Sequence, residues 1–207
     1  MPDLSAPEPS RTGRGGRPRD PSRDQVIRAA ILEVLAQDGY AGLTMDAVAT
    51  AAGVGKATIY RRWRTKSDLV ADAVADLSEQ QFAVPDTGKF EDDLRLLLRA
   101  LVHVVNGPLG AATLALLSAL PHEPELREAF RSGPMGQMSE AFTQVWSRAV
   151  ERGEVSPDVL GSAVASSASS PILQRWLFSA QPVDEAFADE VLDDVVLPLI
   201  RRSAPTD

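Results

Sequence analysis

Side chains able to do chemistry crowd together in one stretch, GVGKATIYRRWRTK from Gly53 to Lys66, where five cations, a tyrosine and threonines surround two glycines within fourteen residues. Ammonium and guanidinium groups donate to phosphate oxygens and guanine edges, hydroxyls donate to phosphate oxygens, and a helix N-terminus can approach a phosphate closely. By residue type, Lys56 and Arg61 suit guanine edges or phosphates, Thr58 and Tyr60 suit phosphates, and Lys66 sits near the start of a following helix. Glycines at 53 and 55 let the backbone turn sharply. Two other readings compete. A phosphate-binding loop needs G-x-x-x-x-G-K-[ST], but Thr50 stands at the first position and Ala57 follows Lys56, so that pattern is not met. A merely solvated cationic helix is the bland alternative; the tight turn, the short helices and an outward aromatic argue against it.

The chain of 207 residues carries a formal net charge of -8, which at first argues against nucleic acid. Residues 1–70 nevertheless hold eleven Lys/Arg against eight Asp/Glu, a net of +3, while residues 71–207 hold ten against twenty-one, a net of -11. The basic character is local, concentrated at Arg11 to Arg23 and Lys56 to Lys66. With no cysteine and with His103 and His122 as the two histidines, thiolate chemistry and an all-protein zinc site have no residues to use. No apolar run reaches the length of a membrane span, and no secretion signal opens the chain. A cytoplasmic protein without metal or cofactor is expected. A helical hydrolase or transferase is the reading from a different class, but G-x-S-x-G and H-E-x-x-H are both missing, and no catalytic residue is assigned.

The elements that would position the basic stretch follow from periodicity. Residues 1–20, with GRGGRPR, read either as a solvated tail or as a basic arm that orders along DNA. Ile27, Ala30, Ile31, Val34 and Leu35 form one apolar helical face that Gly39 stops. Thr44 reads as the N-cap of a short helix burying Met45, Val48, Ala49 and Ala52, which Gly53 closes. A three-residue turn then leads into a helix over Lys56 to Arg62 that buries Ile59 and Ala57 and leaves Lys56, Thr58, Tyr60 and Arg61 outside, with Trp63 sealing its back. The result is a tight helix-turn-helix. A longer helix follows, with Leu69, Val70, Ala73, Val74 and Leu77 inward, until PDTG at Pro85 to Gly88 breaks it. Beyond lie helical segments near 90–106, 109–120, 122–131, 135–152, 157–180 and 184–201, with no strand-like alternation. The fold class is all-α: a three-helix DNA-binding domain over 21–81 joined to a helical ligand-binding and dimerisation domain over 82–207.

The segments Leu43-Thr44-Met45-Asp46-Ala47-Val48-Ala49, Gly53 to Trp63, and Lys66-Ser67-Asp68-Leu69-Val70 closely resemble the N-terminal domain of the tetracycline-repressor (TetR) family of bacterial transcription regulators. The resemblance covers about Arg19 to Asp76; the stretch QPVDEAFADEVLDDVVLPL from Gln181 is similar, less diagnostically, to effector domains of that family. It implies an all-helical homodimer on a double-stranded palindromic operator, released by a small-molecule effector, with repression as the default. It further implies that Lys56 and Ala57 face base edges, that Thr44, Thr58, Tyr60 and Lys66 hold phosphates, and that Arg61 does either. Gly55 departs from the family, where serine or another polar cap is frequent, and Arg62 stands where histidine is common.

In the second half Leu97, Leu101, Val104, Met138, Phe142, Trp146, Leu173, Trp176 and Leu177 are core residues or the wall of a largely apolar effector pocket, with His103, Gln144, Gln174 and Arg175 as candidate polar anchors. The small residues of SAVASSASS, among them Ala163, Ser167 and Ser170, together with Ala188, Leu192, Val195 and Leu199, are expected to form a four-helix seam between two protomers. An architectural DNA binder without effector differs from this reading by lacking a cavity there.

Overall fold

The computed structural model describes residues 21–79, 84–179 and 181–203. The basic arm over 1–20, the side chain of Leu77 and the expected boundary at 81 and 82 lie outside the described residues or side chains. Within those described there are helices and turns and no strand.

The first half is built from α1 (Pro21–Gly42), α2 (Met45–Ala51), α3 (Lys56–Tyr60) and α4 (Lys66–Glu79). Helical geometry in α1 breaks at Gly39, with φ 65° and ψ -179°. Thr44 caps α2 by accepting from the amide of Ala47 at 3.1 Å. Gly53 (φ 62°) makes the turn out of α2, a left-handed conformation that glycine adopts without strain. Gly55, by contrast, has φ -67° and ψ 140°, and a Cβ there would meet nothing within 4 Å. The sharp turn therefore depends on the first glycine and not on the second.

The second half holds α5 (Phe90–Asn106), α6 (Pro108–Leu116), α7 (Pro124–Ser132), α8 (Pro134–Glu151), a single 3-10 turn at Pro157–Val159, α9 (Ala163–Ser166), α10 (Ser170–Phe178), α11 (Glu185–Glu190), a wide turn of π type at Val191–Val196, and α12 (Leu197–Ser203). Prolines open α6, α7 and α8, because the amide hydrogen they lack would have no helical partner in the first turn. The helix expected over 157–180 is instead three pieces. Ser156 caps the 3-10 turn, Ser162 caps α9 through the amides of Val164 and Ala165, and Pro171 restarts the chain in α10. Serine hydroxyls compete for backbone groups here: Ser167 donates to the Val164 carbonyl and Ser170 to that of Ser166, both at 2.7 Å. At the C-terminal end Asp184 caps α11 by accepting from Phe187 at 2.9 Å. The wide turn before Pro198 follows from the missing proline amide and its ring's conflict with the carbonyl four residues earlier.

Two apolar clusters hold the chain. The first joins Ile27, Ile31, Leu35, Val48, Ile59, Leu69 and Val70 to Val104, Leu109, Leu116, Leu126 and Phe130, so it extends from α1 through α4 into α6 and α7. The second gathers Leu94, Leu97, Leu98, Leu101, Phe142, Val145, Trp146, Ile172, Ala188 and Leu192. The turn between α5 and α6 brings Gly110 so close that a Cβ would stand 2.0 Å from the Val105 carbonyl oxygen. Residues 84–89 are pinned from two sides. Arg148 donates to the Pro85 carbonyl, and the amide of Thr87 donates to the buried Asp93 at 2.6 Å. Asp93 also pairs with Arg152 at 3.3 Å. Burial would raise the Asp93 carboxyl, but the Thr87 amide and the Arg152 guanidinium outweigh it and hold the pKa below the ordinary aspartate value.

Candidate nucleic-acid interface and effector groove

Ile59 and Trp63 are buried beneath α3 and fix it from behind, while Lys56, Ala57, Tyr60 and Arg61 are exposed on it or at its end and Arg64 is exposed in the turn that follows; Ala57, expected inward from the helical spacing, is thus corrected to an outward position. Thr44 is exposed at the start of α2, and because its oxygen is the acceptor in the cap, its hydroxyl hydrogen stays free for a phosphate. Gly55 is exposed as the N-cap of α3 and makes no side-chain cap; the Thr58 amide donates to the Gly55 carbonyl at 2.8 Å, which leaves the amides of Lys56 and Ala57 open among the described residues. Thr58 lines a groove of about 330 Å³ with Arg23, Val26, Ala52, Gly53, Val54 and Gly55.

Charge on this face is distributed differently from the sequence expectation. Arg61 and Arg64 form no ion pair among the described residues. Arg62 does not join them: its guanidinium pairs with Asp24 of α1 and lies 5.8 Å from the centre of the Trp63 ring. It is half-buried because a residue beside the anchoring Trp63 faces α1 and not the open side. Lys66 is likewise turned inward, donating to the Tyr40 carbonyl at 2.7 Å with its ammonium 4.1 Å from the Tyr40 ring centre. In this state both cations serve the fold. Lys56 is exposed but bonded to Asp46 at 2.5 Å, and that hydrogen bond raises its pKa above the ordinary lysine value. Arg23, Arg64 and Asp46, to which the sequence assigns no role in the site, are placed on or beside it by the structure. Arg64 was legible in the cation run, whereas Asp46 is recognisable only once α2 and α3 are folded against each other.

In the second half the expected pocket residues separate into three groups. Met138, Phe142 and Trp146 line one side of a groove of about 430 Å³, together with Met135, Ser139, Thr143 and Ser147 of α8. Leu160, Gly161, Ala165, Ser166 and Ser169 form the other side. Leu97 and Leu101 are sealed in the second cluster, against which Leu173 and Trp176 pack half-buried; Leu177 is also half-buried, and none of these five lines the groove. Val104 belongs to the first cluster, facing the opposite side of α5. His103 is a correction: its side chain is 72% exposed and meets Glu185 at 3.1 Å, so it points to solvent and not inward. Gln144 is exposed and bonded to Glu140, Gln174 is exposed, and Arg175 stacks on the Phe187 ring at 3.2 Å.

The expected seam is also divided. Ala188 and Leu192 are buried in their own chain's second cluster and are not available to a partner. The cause is α5: Arg95 and Arg99 bind Asp189, and Arg95 also binds Asp193, which turns the stripe of Ala188 and Leu192 inward. The Arg99 hydrogen bond leads in holding Asp189 below its usual pKa. Ala163 and Ser170 are exposed, and Ser167, Val195 and Leu199 are half-buried.

A short, exposed helix held by an apolar back and led by a left-handed glycine turn defines a helix-turn-helix DNA-binding protein. The chain belongs to the TetR family of bacterial transcription regulators: residues 27–73 match the bacterial regulatory proteins of the tetR family, and residues 84–195 match the tetracyclin repressor-like C-terminal domain. It is 34% identical over 188 residues to the DNA-binding transcriptional repressor TetR of Mycobacteroides abscessus, covering 90% of this chain and 98% of that protein. An uncharacterized HTH-type transcriptional regulator of Mycobacterium tuberculosis is 31% identical over 191 residues, covering 90% of this chain and 94% of its own. The crystal structure of a TetR family transcription regulator matches with a TM-score of 0.65 at 29% identity, covering 89% of this chain and all of that one. Among the described residues no single helix is long and apolar enough to cross a membrane.

Proposed function

We propose that this chain is a repressor that binds a palindromic operator as a homodimer and leaves it when a small, largely apolar molecule occupies the groove beside α8. The observation that carries the reading is α3 itself. Its base is immobilised by Ile59 and Trp63, and its C-terminal end and the turn after it offer the exposed Arg61 and Arg64 without ion-pair partners among the described residues. Bases would be read by Lys56 and Ala57, and phosphates held by Thr44, Thr58, Tyr60, Arg61 and Arg64, with the open amides after Gly55 available to the backbone.

The effector side of the proposal rests on the groove. Its volume falls within the range of small-molecule sites, and Met135, Met138, Phe142, Trp146 and Leu160 give it an apolar wall edged by hydroxyls. Trp146 adds a buried indole N–H that has no acceptor among the described residues. Pairing of two copies is supported by Phe178, 81% exposed at the end of α10, by the half-buried Leu173, Trp176 and Leu177 of the same helix, and by the half-buried Val195 and Leu199 in the wide turn and in α12. Such a protein would work beside the chromosome, in the cytoplasm.

Selection of bound sites from random duplex DNA tests the proposal. The expected product is an inverted repeat with half-sites one or two helical turns apart, bound by a dimer in sedimentation and released by apolar compounds whose binding quenches Trp146. A chain that stays monomeric and binds no duplex in dilute buffer refutes it.

A further inference from the structure

Asp46 and Lys56 stand ten residues apart in sequence and face each other across the helix-turn-helix. Asp46 lies in the first turn of α2 and Lys56 is the first residue of α3, with Nζ and Oδ2 2.5 Å apart. Both are open to solvent, the lysine side chain 65% exposed and the aspartate 50%. Asp46 is not needed as the cap of α2, since Thr44 already fills that place. As an exposed ion pair it contributes little to stability. An acid on a face that meets phosphates also weakens binding to every DNA sequence alike. A reason for its presence must therefore be sought in what it does to the choice among sequences.

The major-groove edge of a G·C pair presents the guanine acceptors N7 and O6 beside the cytosine donor N4. O6 and N4 are the two ends of a base-pairing hydrogen bond and so stand roughly 2.9 Å apart. Lys56 and Asp46 hold a donor and an acceptor at nearly that separation, in complementary order. The ammonium can bridge O6 and N7 while the carboxylate accepts from N4. An A·T edge offers one contact fewer: the carboxylate accepts from adenine N6 and the ammonium donates to N7, but no second acceptor stands beside N7 for the ammonium, whereas guanine supplies both N7 and O6.

We infer that Asp46 is a specificity-determining residue that acts with Lys56 as one donor–acceptor unit selecting a G·C base pair in each operator half-site. The inference rests on the DNA-binding reading above. On other sequences Lys56 stays paired to Asp46, and the carboxylate repels the phosphates, so the pair also suppresses non-specific binding. No other side-chain bond in the described structure gives the Asp46 carboxylate a task.

The test is site selection from random duplex DNA with the full chain, comparing the wild type with Asp46→Ala, Asp46→Leu and Lys56→Ala. The wild type should return a G·C pair at a fixed position of each half-site. Asp46→Ala should weaken that preference about tenfold, leave the other positions unchanged, and bind random duplex more tightly. Lys56→Ala should lose the preference at the same position. If Asp46→Ala fails to fold, Asp46→Leu carries the same decision, since it keeps about the same bulk and removes the acceptor. Retention of G·C at that position by the foldable variant overturns the inference while leaving operator binding intact. A wild type that selects no sequence overturns both.

Discussion

Tyr40 Oη and Ser67 Oγ lie 2.9 Å apart in the buried angle between α1 and α4, and Ser67 in turn donates to Glu123 at 3.2 Å. Because the single serine hydrogen goes to the carboxylate, the tyrosine hydroxyl is the donor to Ser67. Glu123 is the residue preceding α7, so one hydroxyl joins the DNA-reading end to the second half of the chain. Burial leads the causes that raise the Tyr40 phenol above its ordinary pKa. Ser67→Ala leaves both partners short of a bond and should cost about 1 to 3 kcal/mol in denaturant unfolding. An unchanged midpoint would show that the chain through Ser67 is idle.

The two glycines of the recognition turn should respond oppositely. Gly53→Ala forces a side chain into left-handed backbone and should destabilise by about 1 kcal/mol. Gly55→Ser enters ordinary backbone with open space around it, supplies a cap to α3, and should raise stability by a few tenths of a kcal/mol. It should also tighten DNA binding by one phosphate contact. Thermal melts and fluorescence anisotropy read both effects; a Gly55→Ser protein that melts lower would refute the turn geometry.

The cations divide by task. Arg61→Ala and Arg64→Ala should each lower the salt slope of log K by roughly 0.9 for every phosphate no longer neutralised, with little change in stability. Arg62→Ala and Lys66→Ala remove partners of Asp24 and the Tyr40 carbonyl, and should cost about 1 to 2 kcal/mol of stability instead. Salt titrations in parallel with unfolding curves separate the two groups, and a salt slope that falls for Arg62→Ala as much as for Arg61→Ala would void the division.

Acid sensitivity should arise in the second half. Asp93, Glu154 and Asp189 are all held below the ordinary values of 3.8 and 4.5. For Glu154, burial acts upward and is outweighed by the Phe90 amide and Arg152. Depressed carboxylates add stability that is fully present above their unfolded values and disappears as pH falls through the folded ones. With respect to these carboxylates, stability should therefore be flat from about pH 5 to about pH 9 and decline below about pH 4. Asp93→Ala should lose about 3 kcal/mol at neutral pH and show a shallower acid decline. A variant with the same acid limb as the wild type would assign the effect elsewhere.

Much of the first half was legible because local signals agree there. The stripe from Ile27 to Leu35 is buried, Thr44 is a cap, Gly53 has positive φ, and Ile59 and Trp63 face inward. What sequence could not supply was the direction of long cations, since Arg62 and Lys66 are placed by Asp24 and Tyr40, which are distant in the chain. Beyond residue 90, apolar spacing reports burial but not against what. Ala188 and Leu192 fit a partner-facing stripe equally well until Arg95 and Arg99 turn it inward, and the serine-rich helix over 157–180 fails because its hydroxyls take up backbone groups locally.

The first apolar cluster has a practical consequence for anyone wishing to exchange operator preference between relatives. Since Leu116, Leu126 and Phe130 sit in the same interior as Ile31 and Val70, a chimera spliced between the end of α4 and the start of α5 would tear a continuous hydrophobic interior and expose both halves. A transplantable reading head must bring the residues of α6 and α7 that it rests on, or have them redesigned to suit a foreign seat.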